Sequence, residues 1–171
     1  MEIIPAIDLL GGNCVRLNQG NYGQVTEFNN DPVAQALIWQ EQGAQRLHLV
    51  DLDGAKTGRP VNDLTIKRIH ERLQIPIQMG GGIRTKERAE ELLKMGIERV
   101  ILGTIALEEP NIAMDLAEKY PGQVIVGIDS KKGKVATRGW INQSNVQGKD
   151  LAKRFSNSRI AAIISTDIST D

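Results

Sequence analysis

"IIPAIDLLGGNCVRL" spans residues 3–17, and "VIVGIDSKKGKVATR" spans residues 124–138. Each reads as an apolar strand, then Ile-Asp, then a short polar loop with glycine, then more strand-like residues. The two aspartates, Asp8 and Asp129, lie 121 residues apart. A second correspondence joins "LVDLDGA" (49–55) to "STDISTD" (165–171), with Asp51 matching Asp167. A shorter repeat, "EQGAQRLHLVDLDGA" against "KMGIERVILGTIAL", shares a helix end, a glycine, a short link, an arginine and a buried strand.

Working outward, apolar runs of strand length recur at 2–8, 46–52, 75–81, 99–104, 123–129 and 160–166. They are mostly continuous rather than alternating, which is how parallel strands buried on both faces read. Helical stretches separate them. "DPVAQALIWQEQGA" offers Asp31 as N-cap, Pro32 in the first turn and Gly43 as a stop. "TKERAEELLKMGI" offers Thr85 as N-cap, Ala89, Leu92 and Leu93 on one face, and Gly96 as a stop. "NDLTIKRIHERL", "PNIAMDLAEKY" and "KDLAKRF" complete the set. Strand–helix alternation means right-handed βαβ units on a parallel sheet. Two copies of a 121-residue unit make about 242 residues, close to the ~250 typical of a (β/α)8 barrel. The fold class expected is therefore α/β, a (β/α)8 TIM barrel of duplicated half-barrel type with about the first six strands present. Residues 1–171 form one incomplete barrel domain, with a first half at 1–120 and the start of a second at 121–171.

Bulk properties bound the partners. Lys+Arg and Asp+Glu both number 21 in 171 residues, so no net field attracts nucleic acid or an anionic membrane. The densest basic cluster, "KKGK" at 131–134, reads as a solvated turn. No apolar run approaches the ~20 residues of a membrane helix. "MEIIPAID" has no basic leader region, and a single cysteine, Cys14, excludes an internal disulfide framework. A cytoplasmic protein is expected.

Ligand sites of parallel α/β folds lie at the C-terminal ends of the strands. Read there, the chain offers Asp8, then Asp51 and Asp53, then "GGG", then "GT", then Asp129, then Thr166 and Asp167. Asp8 and Asp129 come from the first and fifth strands, opposite one another in an eight-stranded barrel. Two facing carboxylates suit paired acid and base work; the alternative is that each caps a turn. "MGGGIRT" (79–85) has glycines that let N–H groups face an anion, with a helix N-terminus behind them, or it is a plain tight turn. "LGT" (102–104) is a second such loop, and the two together favour a phosphate. His48, Asp51 and Asp53 invite a metal reading, but their spacing splits them between two strand faces. His70 reads as a surface or packing residue, Cys14 as a small buried hydrophobe, and Trp140 either stacks on a planar ring or packs. No G-x-G-x-x-G, Walker A, C-x-x-C or H-E-x-x-H pattern is present.

"IPAIDLLGGNCVRLNQGNYGQ", "HLVDLDGAKTGRPVN", "MGGGIRT", "VILGT", "VGIDSKKGKVATRGW" and "STDISTD" together resemble the phosphoribosylformimino-5-aminoimidazole carboxamide ribotide isomerases of histidine biosynthesis, along the whole chain. The cyclase subunit of imidazole glycerol phosphate synthase is a sister family that usually has Cys-Leu-Asp at the first strand end. Ala6-Ile7-Asp8 favours the isomerase. The resemblance implies a (β/α)8 barrel and an Amadori rearrangement of an aminoaldose to an aminoketose. It implies Asp8 as general base, Asp129 as general acid and Thr166 as a sugar-positioning residue. It implies phosphate contacts at Gly81, Gly82, Gly103 and Thr104, and an aromatic contact from Trp140 to the imidazole-carboxamide end. The substrate is a small molecule with a phosphate at each end; no metal, cofactor, nucleic acid or membrane is implied.

Family members continue through two more strands with a second phosphate site. A full-length form is expected to be a monomer. The 171-residue chain is expected to expose two strand edges, to self-associate and to lack turnover alone. The other reading is a catalytically inactive fragment that at most binds a sugar phosphate. Some relatives also rearrange phosphoribosyl anthranilate, and no residue here selects for that.

Overall fold

The computed structural model describes residues 2–170. Six parallel strands form its frame: β1 (Ala6–Leu10), β4 (Leu47–Asp51), β5 (Ile77–Gly80), β6 (Arg99–Leu102), β7 (Val124–Lys131) and β10 (Ala162–Asp167), hydrogen-bonded in that order. Two antiparallel excursions extend the sheet. β2 (Asn13–Asn18) and β3 (Asn21–Asn29) follow β1; β8 (Lys134–Thr137) and β9 (Asn142–Gln147) follow β7. This is an α/β fold on a curled mixed sheet, of the TIM-barrel-like kind.

The helices are α1 (Pro32–Glu41), α2 (Leu52–Thr57), α3 (Asp63–Arg72), α4 (Lys86–Met95), α5 (Thr104–Glu108), α6 (Pro110–Lys119) and α7 (Gly148–Arg154). Their ends follow local chemistry. Asp31 accepts hydrogen bonds from the Val33 and Ala34 N–H groups and starts α1, with Pro32 filling a position that needs no donor. Thr85 accepts from Arg88 N–H and starts α4, which Gly96 ends in a left-handed conformation.

Strand alternation separates two environments. Leu47, Leu49, Met79, Val100, Leu102, Val124 and Val126 turn outward into one apolar core under the helices. Asp8, His48, Val50, Gly80, Ile101, Gly127, Asp129 and Thr166 turn inward and line a cavity. Residues of all six parallel strands share that cavity, so the sheet is curled rather than flat. On the outer edge, β10 pairs β7 and no other strand among the described residues.

Asp8 and Asp129 are not terminal residues of their strands. β1 runs on to Leu10 and β7 to Lys131, each into its hairpin, so both aspartates stand within their strands. The capping role falls to Asp51, which starts α2 and accepts from Gly54 N–H at 2.8 Å. Asp51 is 1% exposed and also accepts from Asn62 Nδ2 at 2.7 Å. The same Asn62 amide reaches Asp53, which in turn holds Gly11 N–H at 2.7 Å.

The "GGG" turn is shaped by this neighbour. Gly81 has φ +97°, and a Cβ there would lie 2.2 Å from the Asp51 carbonyl oxygen. The turn after β5 thus rests directly on the turn after β4. Gly81→Ala combines left-handed strain with a backbone clash, and is expected to cost about 2–4 kcal/mol in urea unfolding. Gly122→Ala, at φ +77° with open space around it, carries the strain alone and is expected to cost about 1–2 kcal/mol. Equal costs at the two positions would show that the contact with Asp51 is not what holds the turn.

Candidate active site

The cavity at the C-terminal end of the sheet has a volume of about 780 Å³. Asp8, Asp129, Thr166, Gly81, Gly82, Gly103, Thr104 and Trp140 all line it. Asp8 sits on β1 opposite Val50 of β4 and Val15 of β2. Asp129 sits on β7 directly beside Thr166 of β10. Both aspartates and Thr166 are half-buried, on the inner face of the curl.

Trp140 neither stands free nor packs in the core. Its indole N–H donates to Asp129 Oδ2 at 2.8 Å. Its ring lies against Gly20 at the tip of the β2–β3 hairpin, where a Cβ would meet the ring at 2.1 Å. The relation is mirrored by Tyr22 of that hairpin, whose hydroxyl would lie 2.9 Å from a Cβ on Gly139. Tyr22 also donates to the Leu52 carbonyl at 3.0 Å, which anchors the hairpin over the cavity. Burial, together with Asp53, Asp8 and Asp51, pushes its phenol up to about 12, so it remains a neutral donor. Arg138, Gly139 and Trp140 all have left-handed φ, at 58°, 66° and 67°. The loop that carries Trp140 is therefore bent tightly, and it is pinned where Arg138 N–H donates to Thr104 Oγ1 at 3.0 Å.

Two glycine loops line the cavity rim. Gly103 starts α5 with no side chain covering the first-turn N–H groups, which leaves donors at the rim. Gly82 has φ +74° and touches Gly54 across the loop. Arg84 beside it donates from its guanidinium to the Ala55 carbonyl at 2.8 Å and also lines the cavity. This arrangement offers backbone donors and the Arg84 guanidinium to an anion, in the cavity that the two carboxylates also line.

Of the residues raised for a metal, Asp53 stands in α2 rather than on the strand that carries His48 and Asp51. His48 faces the cavity, whereas Asp51 and Asp53 belong to the Asn62 network. Among the described residues no group of three or more His, Cys, Asp and Glu is placed to hold a metal. Cys14 is buried, and burial with nearby Asp31 pushes its thiol up to about 11, far from a nucleophile. His70 packs on Gly96. No helix among the described residues is long and apolar enough to cross a membrane.

Sequence reasoning did not single out Tyr22, Arg84 or Gln78. Gln78 is 4% exposed and its amide nitrogen lies 2.9 Å from His48 Nδ1. A polar residue inside each of two apolar runs, "LHLV" and "IQMG", was the available signal.

Residues 2–171 match a protein family described as histidine biosynthesis protein. A relative from Synechococcus sp. (strain WH7803) is 66% identical over 171 residues, covering 100% of this chain and 67% of its own length. Relatives from Synechococcus sp. (strain CC9902) and Prochlorococcus marinus (strain NATL1A) are 67% and 65% identical with the same coverage. All three are called 1-(5-phosphoribosyl)-5-((5-phosphoribosylamino)methylideneamino) imidazole-4-carboxamide isomerase.

Burial holds the His48 imidazole below its ordinary pKa, against the opposing pull of Asp129. The unfolded chain binds a proton near pH 6.5 that the folded chain refuses, so stability falls as pH drops through that value. The slope is at most about 1.36 kcal/mol per pH unit and flattens below the folded pKa. Urea unfolding of the wild type between pH 7.5 and 5.5 is expected to show this loss, and His48→Asn to remove it. An unchanged slope in the variant would assign the loss elsewhere.

Proposed function

Because the chain belongs to the histidine biosynthesis protein family, we propose that its cavity performs an aldose–ketose isomerisation. The reaction is the Amadori rearrangement that turns the N-linked phosphoribosyl group of the substrate into a phosphoribulosyl group. The observation that carries this reading is the placement of Asp8 and Asp129, from β1 and β7, on the inner face of one cavity whose rim also presents glycine loops.

Asp129 gives a proton to the ribose ring oxygen as the C1–O bond breaks and its electron pair moves to that oxygen. The nitrogen lone pair forms the C1=N bond. Asp8 then takes the C2 proton, and the released pair forms C1=C2 while the C=N electrons return to nitrogen. Return of a proton to C1 and loss of the C2 hydroxyl proton give the ketone. Each step is proton transfer between positioned groups, for which acid, base and orientation suffice. Thr166, beside Asp129, holds a sugar hydroxyl. Gly81, Gly82, Gly103 and Thr104 hold a phosphate through backbone N–H groups and the threonine hydroxyl. Trp140, released from Asp129, covers the imidazole-carboxamide end.

The same reading gives a half-barrel duplication, with the first unit at 1–120 and the second beginning at 121. It also gives a cytoplasmic enzyme, monomeric in its full-length form, with a bis-phosphorylated small molecule as its substrate and no nucleic-acid partner. The carboxylate pair and the relatives' isomerase names favour turnover over a protein that only binds sugar phosphate.

Asp8→Asn and Asp129→Asn are each expected to lower kcat by about 100-fold or more, the range for a lost general acid or base. Near-normal turnover in either variant overturns that role. Inorganic phosphate is expected to compete with substrate in the wild type and to lose that effect when Gly103 is replaced by valine. Competition that survives Gly103→Val would move the phosphate away from this rim.

A further inference from the structure

We propose that Gln78 is a positioning residue: its amide donates to Nδ1 of His48 and fixes the imidazole as the Nε2–H tautomer, with that N–H facing the substrate cavity. The two residues are register partners on β4 and β5, so their side chains leave the sheet on the same face. Gln78 Nε2 lies 2.9 Å from His48 Nδ1, and Gln78 is almost fully buried. Leu47, Leu49, Ile77 and Met79 flank the pair along the strands and are buried to within 1%. Those four side chains turn to the opposite face, into the core under the helices, and leave the amide to meet the ring on the inner face of the curl.

The other ring nitrogen has a different outlook. The buried polar side-chain atoms without a partner are, among the described residues, Trp39 Nε1, Arg46 Nε and Arg99 Nε. His48 Nε2 is not one of them. The space beside His48 is the cavity it lines. Which nitrogen of a neutral imidazole carries the proton is set by the hydrogen bond the other makes. A donor at Nδ1 leaves Nε2 as the N–H. Burial holds the ring's pKa below its ordinary value, against the opposing pull of the Asp129 carboxylate.

The result is an uncharged donor in the same cavity as the two carboxylates, on the strand beside Asp8 and level with Ala6. A sugar phosphate brings hydroxyl and carbonyl oxygens into that space, and they need donors that carboxylates do not supply. On the isomerase reading the acceptor is the oxygen on C2 that becomes the ketone; the tautomer itself does not rest on that reading.

Long-range proton–nitrogen correlation NMR on histidine-labelled protein distinguishes the two tautomers and the imidazolium. The chain has only two histidines, and His48→Asn assigns the signals. The expected wild-type spectrum has His48 protonated at Nε2 and bare at Nδ1. Gln78→Glu, which turns the donor into an acceptor, is expected to place a proton on Nδ1. Gln78→Leu is expected to mix the tautomers and to lower kcat about tenfold with a smaller change in KM. A wild-type His48 protonated at Nδ1, or one whose tautomer is the same in Gln78→Leu, overturns the proposal. A protein with the Nε2–H signature but no turnover would sink the isomerase reading and leave the role of Gln78 standing.

Discussion

One buried carboxylate organises the C-terminal end of the parallel strands. Asp51 is removed from water, and a charge there is tolerated only if donors surround it. Gly54 N–H and Asn62 Nδ2 do so, at 2.8 and 2.7 Å. Those two bonds set the start of α2 and lock the residue that precedes α3. Asn62 then ties in Asp53, and Asp53 ties in the turn between β1 and β2. Gly81 rests on the Asp51 backbone from the other side. The turns after β1, β4 and β5 are thus held by a chain of contacts that begins at one side chain. Asp8 and the glycine loop inherit their positions from it.

The inner face of the curl then has to stay open. Glycine at 80 and 127 flanks Ile101, close enough that a Cβ would lie 3.4 or 3.2 Å from the isoleucine side chain. Ile101 therefore fills the middle of the sheet, and larger neighbours would crowd it. The polar groups that share the cavity with it are Asp8, Asp129, Thr166 and His48, the last backed by Gln78. Outward-facing strand residues do the opposite work and carry the apolar core under the helices. Stability and chemistry are divided between the two faces of the same strands.

The parallel strands are legible in the sequence because burial on both faces leaves unbroken apolar runs such as "RVIL" and "VIVGI". Helix starts at Asp31 and Thr85 are legible because a capping side chain acts within three residues. The second arms of the hairpins are not. β3 and β9 are largely exposed and polar, as in "NQSNVQ", so no hydrophobic period marks them. The short α2 and α5 escape because five or six residues hold less than two helical turns. In the candidate site, repetition pointed to Asp8 and Asp129, and glycine runs pointed to the rim. The Trp140–Asp129 bond, the Gln78–His48 pair and Tyr22 depend on strand register and loop closure, which no local pattern encodes.

The two excursions over the cavity are keyed to each other. Gly20 on the first makes room for the Trp140 ring of the second, and Gly139 on the second makes room for the Tyr22 hydroxyl of the first. Each loop thus carries one aromatic and the notch that receives the other's. They are heritable only as a matched set: transplanting either one into a homologous scaffold without its counterpart would drive an indole or a phenol into a backbone. A recombination break placed between them therefore separates parts that fit only together, whereas one placed outside the pair transfers a working cover intact.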